Sequence, residues 1–164
     1  MAEVRITGGC QCGAVRYALH ARPADPSICH CRMCQKQFGN FFGTFAGVDL
    51  KDFEMTRGEL AAFRSSEAAE RVFCAECGTP LGFRYRDRPR ISVSIGSLDE
   101  PVLMKPTVQY GLEGRLPWLT EILANPGTTT GTGDPKQERY EEVRAHPRQH
   151  PDHDTAEWPP KATS

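Results

Sequence analysis

The 164-residue chain is short of three things, and each shortage excludes a class of protein. It has no uninterrupted apolar run near the roughly 18–20 residues that cross a bilayer as a helix, so a helical membrane-spanning protein is excluded. It has no surplus of charge: 20 Lys and Arg stand against 21 Asp and Glu, a formal net charge of -1. That balance gives neither nucleic acid nor an anionic membrane a long-range attraction, and no partner of either kind is expected. The opening Met1-Ala2-Glu3-Val4-Arg5 lacks the apolar core of a secretory signal, and a cytoplasmic location is the expectation. Helix signals are also sparse. A turn or two is predicted over residues 32–38, another near 48–53, and one over 118–123 after Pro117.

Apolar residues run out toward the end of the chain. Residues 126–164 hold six of them (Tyr140, Val143, Ala145, Ala156, Trp158 and Ala162), against 57 in the first 125. The core is therefore placed in 1–125. The remainder, 126–164, is a polar extension rich in Pro, Gly, Thr and His, with too little apolar surface to offset its ordering entropy, and is expected to be mobile or loosely docked. Its Gly127-Thr128-Thr129-Thr130-Gly131-Thr132-Gly133 run lacks the ending of a phosphate loop and reads as a linker. His146, His150 and His153 in this extension are expected to be solvated, with a terminal metal-binding patch as their functional alternative.

Within 1–125, short β-type segments dominate: 4–7, 14–20, 41–47, 60–64, 71–73, 81–85 and 91–95. They carry Val, Ile, Phe or Tyr with turn residues nearby, and no βαβ alternation suggests a parallel sheet. A mainly β, antiparallel domain with short helical turns is the expected fold class.

What the chain does have is seven cysteines in three groups: Cys10-Gln11-Cys12-Gly13, Cys29-His30-Cys31-Arg32-Met33-Cys34 and Cys74-Ala75-Glu76-Cys77-Gly78. An odd number fits a disulfide framework poorly, and thiolates held by metal are the better reading. Gly13 and Gly78 follow the second cysteine of their pairs, where φ > 0 lets the backbone turn back toward the sulfurs as in a zinc knuckle. Two pairs far apart, Cys10/Cys12 and Cys74/Cys77, can complete a closed four-sulfur site of structural kind. Cys29, Cys31 and Cys34 can close on one ion as a tripod and leave a fourth corner open for water or substrate. The spacing also admits other divisions, with Cys29 a bystander while Cys31 and Cys34 join another knuckle, or with all seven in a purely architectural zinc module. Disulfide redox chemistry lacks the βαβ surroundings of a thioredoxin motif, and neither spacing matches the common iron-sulfur runs.

These three cysteine groups, with Leu116-Pro117-Trp118 near the end, resemble the glutathione-dependent formaldehyde-activating enzyme family, which includes the centromere-protein-V relatives. The likeness runs from about residue 6 to 123. It implies a β-tent fold and two Zn2+ per chain. One would be structural on Cys10, Cys12, Cys74 and Cys77; the other would be catalytic on Cys29, Cys31 and Cys34. It also implies a carbon-sulfur lyase activity that makes or breaks an S-hydroxymethyl-type adduct of a thiol such as glutathione with formaldehyde or a small aldehyde. Gln109 stands about where many relatives carry a histidine, and residues after Asn125 follow no pattern of the family. The alternative reading is a noncatalytic zinc-binding interaction module, chaperone-like or chromatin-associated.

Three further features stand beside the cysteines. In an extended Cys29-His30-Cys31 the sulfurs share one face and the imidazole takes the other, which favours a structural role for His30 over a ligand or catalytic one. Arg84, Arg86, Arg88 and Arg90 have the period-two spacing of one face of a hairpin, where they would pair with substrate carboxylates or phosphates; a solvated face broken by Asp87 and Pro89 is the favoured reading. Phe38, Phe41, Phe42 and Phe45 are expected mostly in the core, with one walling a substrate cavity.

Overall fold

The computed structural model describes residues 4–127, 137–145 and 147–157. His146 and the run beyond Gly127 lie outside these. The elements are β1 (Ile6–Gly9), β2 (Arg16–Leu19), β3 (Ala24–Cys29), α1 (Arg32–Phe38), β4 (Gly43–Asp49), β5 (Phe53–Arg57), β6 (Ala61–Arg64), β7 (Ala69–Phe73), β8 (Pro80–Tyr85), β9 (Arg90–Ser94), β10 (Val108–Tyr110) and α2 (Gln137–Ala145). The strands form a small sheet in the order β1-β2-β5 and a large one in the order β10-β3-β4-β9-β8-β7-β6. The fold is mainly β, as expected. All pairings within the strands are antiparallel except β10 with β3, which is parallel. No helix among the described residues is long and apolar enough to cross a membrane.

The core lies between the facing sheets. Tyr17 and Leu19 of β2 meet Ala46 and Val48 of β4, Val72 of β7, Leu81 of β8 and Ile91 and Val93 of β9 in one cluster. These are alternate residues on their strands in β2, β4 and β9, the period-two pattern of a sheet with one buried face. Cys10 and Cys74 belong to the same cluster, so the cysteine loops are anchored in the core itself.

Several elements depart from the sequence expectations. β3 carries Asp25 and Pro26, both poor strand residues, and was not anticipated. The register against β4 shifts between Ala24 and Ser27, a bulge that accommodates a proline inside a sheet. The helical turn expected near 48–53 is present as a 3-10 turn, Leu50–Asp52, but the strand β5 that follows it, marked by alternating burial, was not expected. β10 is three residues long and has no pattern of its own to read. Helix α1 is as predicted, and Gly39 at φ 56° ends it.

The polar extension contains α2 and a segment that lies against the small sheet. His150 is 2% exposed, which corrects the expectation that it is solvated; His153 is exposed as expected. The backbone N–H of His150 donates to Gln11 O at 2.7 Å. Its Nδ1 lies 2.7 Å from Pro151 O and therefore donates, which leaves Nε2 to accept from Thr155 Oγ1 at 3.0 Å and Arg57 Nη1 at 3.3 Å. A neutral imidazole satisfies all three contacts. Burial lowers the His150 pKa, the Pro151 hydrogen bond opposes this, and the charges of Arg16 and Arg57 lower it further. What drew this histidine inward is a polar socket whose distant members are Arg57 of β5 and Gln11 of the β1–β2 loop, which no local composition shows.

A buried charge joins the same segment to the core. Arg16, 3% exposed in the middle strand of the small sheet, forms a two-pronged pair with Asp99, Nη1 to Oδ1 at 2.8 Å and Nη2 to Oδ2 at 2.5 Å. Thr7 Oγ1 donates to Asp99 Oδ2, and Asp154 Oδ1 accepts a further bond from Arg16 at 2.9 Å. Burial works against ionising Asp99, but the hydrogen bonds from Arg16 and Thr7 outweigh it and hold its carboxyl below the usual value. Asp154 is lowered in the same balance by Arg5 and Arg16. Carboxyls with depressed pKa stabilise the fold fully above their unfolded values and lose that contribution as pH falls through the folded ones. Removing one partner of a buried pair costs about 3 kcal/mol. Asp99→Asn is therefore expected to lower unfolding stability in urea by that order at pH 7, and the difference from wild type should shrink as the pH falls below about 4.

Candidate functional site

The two hairpin loops that carry cysteine pairs meet. Cys10 and Cys12 lie between β1 and β2, and Cys74 and Cys77 between β7 and β8. Gly13 and Gly78 both take φ 75°, and their N–H groups donate back to Cys10 O at 3.2 Å and Cys74 O at 2.9 Å. Those tight turns aim each pair of sulfurs inward. The four Sγ atoms lie within 4.8 Å of one another. Cys10 and Cys12 are 3.6 Å apart and Cys12 and Cys74 3.9 Å apart, far beyond a disulfide bond, and all seven cysteines are free thiols. Four sulfurs about 2.3 Å from a tetrahedral ion stand about 3.8 Å apart, so this set fits a metal of the zinc kind. Thr79 ties the loops together: its Oγ1 accepts from Gln11 N at 3.1 Å and lies 3.1 Å from Cys77 Sγ.

Cys29 ends β3, Cys31 immediately precedes α1 and Cys34 sits in the first turn of that helix. Their three Sγ atoms also lie within 4.8 Å of one another, and among the described residues no fourth His, Cys, Asp or Glu completes the group. The helix supplies the geometry, because its first turn folds Cys34 back over Cys31. The ring nitrogens of His30 do not join the sulfur group. His30 is 1% exposed, packs edge-on against Phe42 at 5.8 Å, and its Nε2 lies 2.9 Å from Gln109 Oε1. Since a carbonyl oxygen only accepts, Nε2 carries the proton. Gln109 thus occupies β10 beside the trio as the partner that orients His30.

Three contacts that the sequence reading did not find shape this loop. Gln35 donates from Nε2 to both His30 O and Gly114 O at 2.9 Å, locking the Cys29–Cys31 backbone to the loop after β10. Gly111, at φ 66°, lies so close that a Cβ there would stand 2.8 Å from Cys31 N. Arg71, 6% exposed, donates from Nη1 to Cys34 Sγ at 3.6 Å and to Gln37 Oε1 at 2.5 Å, with its guanidinium 5.5 Å over the Phe83 ring. Arg71 lies on the face of β7 opposite the core residue Val72, and nothing local in the sequence marks it as buried.

The electrostatics follow from crowding and burial. Burial pushes the Cys34 thiol up to about 12 against the opposing hydrogen bond of Arg71, and pushes Cys10 up to about 12 as well. Burial also opposes ionisation of Cys31, but hydrogen bonds from Cys34 and Cys29, with the Arg71 charge, bring its thiol below the ordinary value. Three or four sulfurs this close become thiolates together only around a cation, which is the behaviour of a metal donor set.

The trio opens on a cavity of about 440 Å3 lined by Met33, Phe45, Arg71, Phe83, Tyr85 and Tyr110, among others. Of the four phenylalanines expected mostly in the core, only Phe45 is buried, and it walls this cavity; Phe41 is 40% exposed and packs on Trp118 at 4.9 Å. Of the arginine row, Arg84, Arg88 and Arg90 line one recess and Arg86 does not. Arg84 and Arg86 pair with Glu70 at 2.9 and 3.7 Å, Arg88 lies over Tyr85, and Arg90 meets Asp25.

Two cysteine sets on a two-sheet β scaffold, one of four sulfurs and one of three beside a cavity, define a candidate metal-binding enzyme fold. The model of the family described as glutathione-dependent formaldehyde-activating enzyme matches residues 5–112, and the chain belongs to that family. It is 32% identical over 78 residues to a Schizosaccharomyces pombe protein named an uncharacterized lyase, a match covering 48% of this chain and 56% of that protein, so the likeness spans little more than half the relative's length. It is also similar to the crystal structure of a Rhodobacter sphaeroides protein, with 26% identity and a TM-score of 0.51 over 63% of this chain and 98% of the other.

The Gly111 contact makes the trio separable from the other set. Gly111→Ala forces an L side chain into a left-handed backbone and against Cys31, and is expected to weaken cobalt(II) binding at the trio by about 10-fold or more. In a titration following the thiolate-to-cobalt absorption, the four-sulfur set should fill as in wild type.

Proposed function

We propose that the protein is a zinc-dependent lyase-type enzyme that forms or cleaves the carbon-sulfur bond of an S-hydroxymethyl-type adduct between a thiol such as glutathione and formaldehyde or another small aldehyde. The observation that carries this reading is a set of three convergent sulfurs, short of the usual four, facing a cavity large enough for a small-molecule thiol. The family match supplies the thiol and the aldehyde. The name of the yeast relative is consistent with a lyase.

Cys29, Cys31 and Cys34 would hold the catalytic zinc, and Cys10, Cys12, Cys74 and Cys77 the structural one. When bound at the trio, zinc supplies a Lewis-acidic fourth position that favours a soft donor and lowers the pKa of an incoming thiol. The protein's own residues do the rest. Arg71 donates to Cys34 and places a positive charge at the cavity wall, where it favours an anionic thiolate over a neutral thiol. Phe45, Phe83 and Tyr85 line the same cavity and give the aldehyde an apolar seat. In the forward direction the thiol loses its proton, the sulfur electron pair attacks the carbonyl carbon, and the C=O pair moves to oxygen, which takes up a proton. The product is a hydroxymethyl thioether, and reversal returns thiol and aldehyde. His30, turned into the protein and bonded to Gln109, orients the loop.

Cys31→Ser separates this reading from an architectural one. Metal counting by mass spectrometry on wild type and variant, with and without glutathione, should show two zinc ions falling to one, with the circular dichroism of the fold retained. Catalysed exchange between formaldehyde and glutathione, followed by NMR, should fall about 100-fold or more. Loss of all metal together with the fold would instead assign the trio to architecture.

A further inference from the structure

The cavity beside the trio continues past the sulfurs. A second recess of about 200 Å3 shares Ser27, Phe45, Phe83, Tyr85, Ser92 and Tyr110 with it, so the two form one cleft. The unshared part of this recess is lined by Arg84, Arg88 and Arg90, with Asp25 its single carboxylate. These arginines differ in how they are held. Arg84 is held by Glu70 at 2.9 Å. Arg88 stacks 5.2 Å over the Tyr85 ring and has no carboxylate partner among the described residues. Arg90 reaches Asp25 at 3.3 Å through side chains 42% and 72% exposed, a pair that water and ligands exchange readily.

Asp25 carries a second signal. Among the described residues it is the one non-glycine with positive φ, 53°, and it directly precedes Pro26. Both features cost backbone energy, and the cost is spent at the rim of the cleft, holding a carboxylate against Arg90.

We propose that Arg88 and Arg90 are specificity-determining residues that receive a carboxylate of the thiol substrate, with Asp25 yielding Arg90 to it on binding. The cleft then selects thiols bearing a carboxylate remote from the sulfur over uncharged ones. Two guanidinium groups at one end give charge and planar hydrogen-bond recognition, and Tyr85 restrains Arg88 before the ligand arrives. Phe45, Phe83 and Tyr110 line the path between the two ends and carry the carbon skeleton. This inference rests on the trio being the thiol site. A third hollow of about 560 Å3, which shares Met33 and Arg71 with the trio's cavity and is lined also by Arg32 and Lys36, is the rival place for the carboxylate.

The test is calorimetric binding to the full-length, metal-loaded protein with three probes: glutathione, its diethyl ester and S-methylglutathione. Wild type should bind glutathione at least tenfold tighter than the ester. In R88M/R90M the glutathione affinity should fall at least tenfold while the ester's is unchanged, with metal content and melting temperature like wild type. R32M/K36M should keep the wild-type preference. Equal binding of acid and ester by wild type, a preference that survives in R88M/R90M or vanishes only in R32M/K36M, or no glutathione binding at millimolar concentration each overturns the proposal. S-methylglutathione reports on the thiol site separately. If it binds as tightly as glutathione while the arginine-dependent preference persists, the thiol reading fails and the carboxylate recess stands.

Discussion

Everything in this molecule depends on how two sheets of unequal size are pinned together at one end. The β1–β2 loop belongs to the small sheet and the β7–β8 loop to the large one, and their four sulfurs converge within 4.8 Å. A metal at that point would cross-link strands more than sixty residues apart and remove a large loop-closure entropy from the unfolded chain. Cys10 and Cys74 are at once donors at this junction and members of the apolar cluster beneath it. The junction is therefore continuous with the core, and it fixes the spacing between sheets on which the packing of Tyr17, Leu19, Val72 and Leu81 relies.

The three-sulfur group is built on the opposite logic. Its members fall within six residues, and the turn from strand to helix brings them together without help from a distant loop. What distant parts of the chain contribute is restraint. Gln35 and the loop after β10 hold the backbone, Gln109 holds His30, and Arg71 reaches across from β7 to Cys34. One group is a joint, complete in itself; the other is a platform with a free side on a cleft.

The grouping of cysteines was legible because metal ligation demands short spacing and a glycine that turns the chain, and both are visible in a single sequence. Helix α1 and strands such as β6 and β8 were legible from periodicity and turn residues. The elements that escaped notice are those whose conformation is imposed from outside. β3 runs through Asp25-Pro26 because a bulge absorbs the proline, and β10 exists only as a partner for β3. Arg71 and Gln35 read as ordinary surface residues until the fold buries them, and His150 sits in a segment with the composition of a solvated tail but docks into a socket formed by Arg57, Gln11 and Thr155. Composition reports the average environment of a segment, and a single buried polar contact leaves that average unchanged.

The sequence separation of the sulfurs also sets an order of assembly during translation. Cys29, Cys31 and Cys34 leave the ribosome almost together, and their turn can close as soon as α1 has room to form. Cys12 must wait for Cys74, 62 residues later. At roughly 5–20 residues per second the delay is about 3 to 12 seconds. For that interval the first knuckle is an open pair of thiols on a nascent chain, joined partway through by the sulfurs of the trio, which would compete for the same ion.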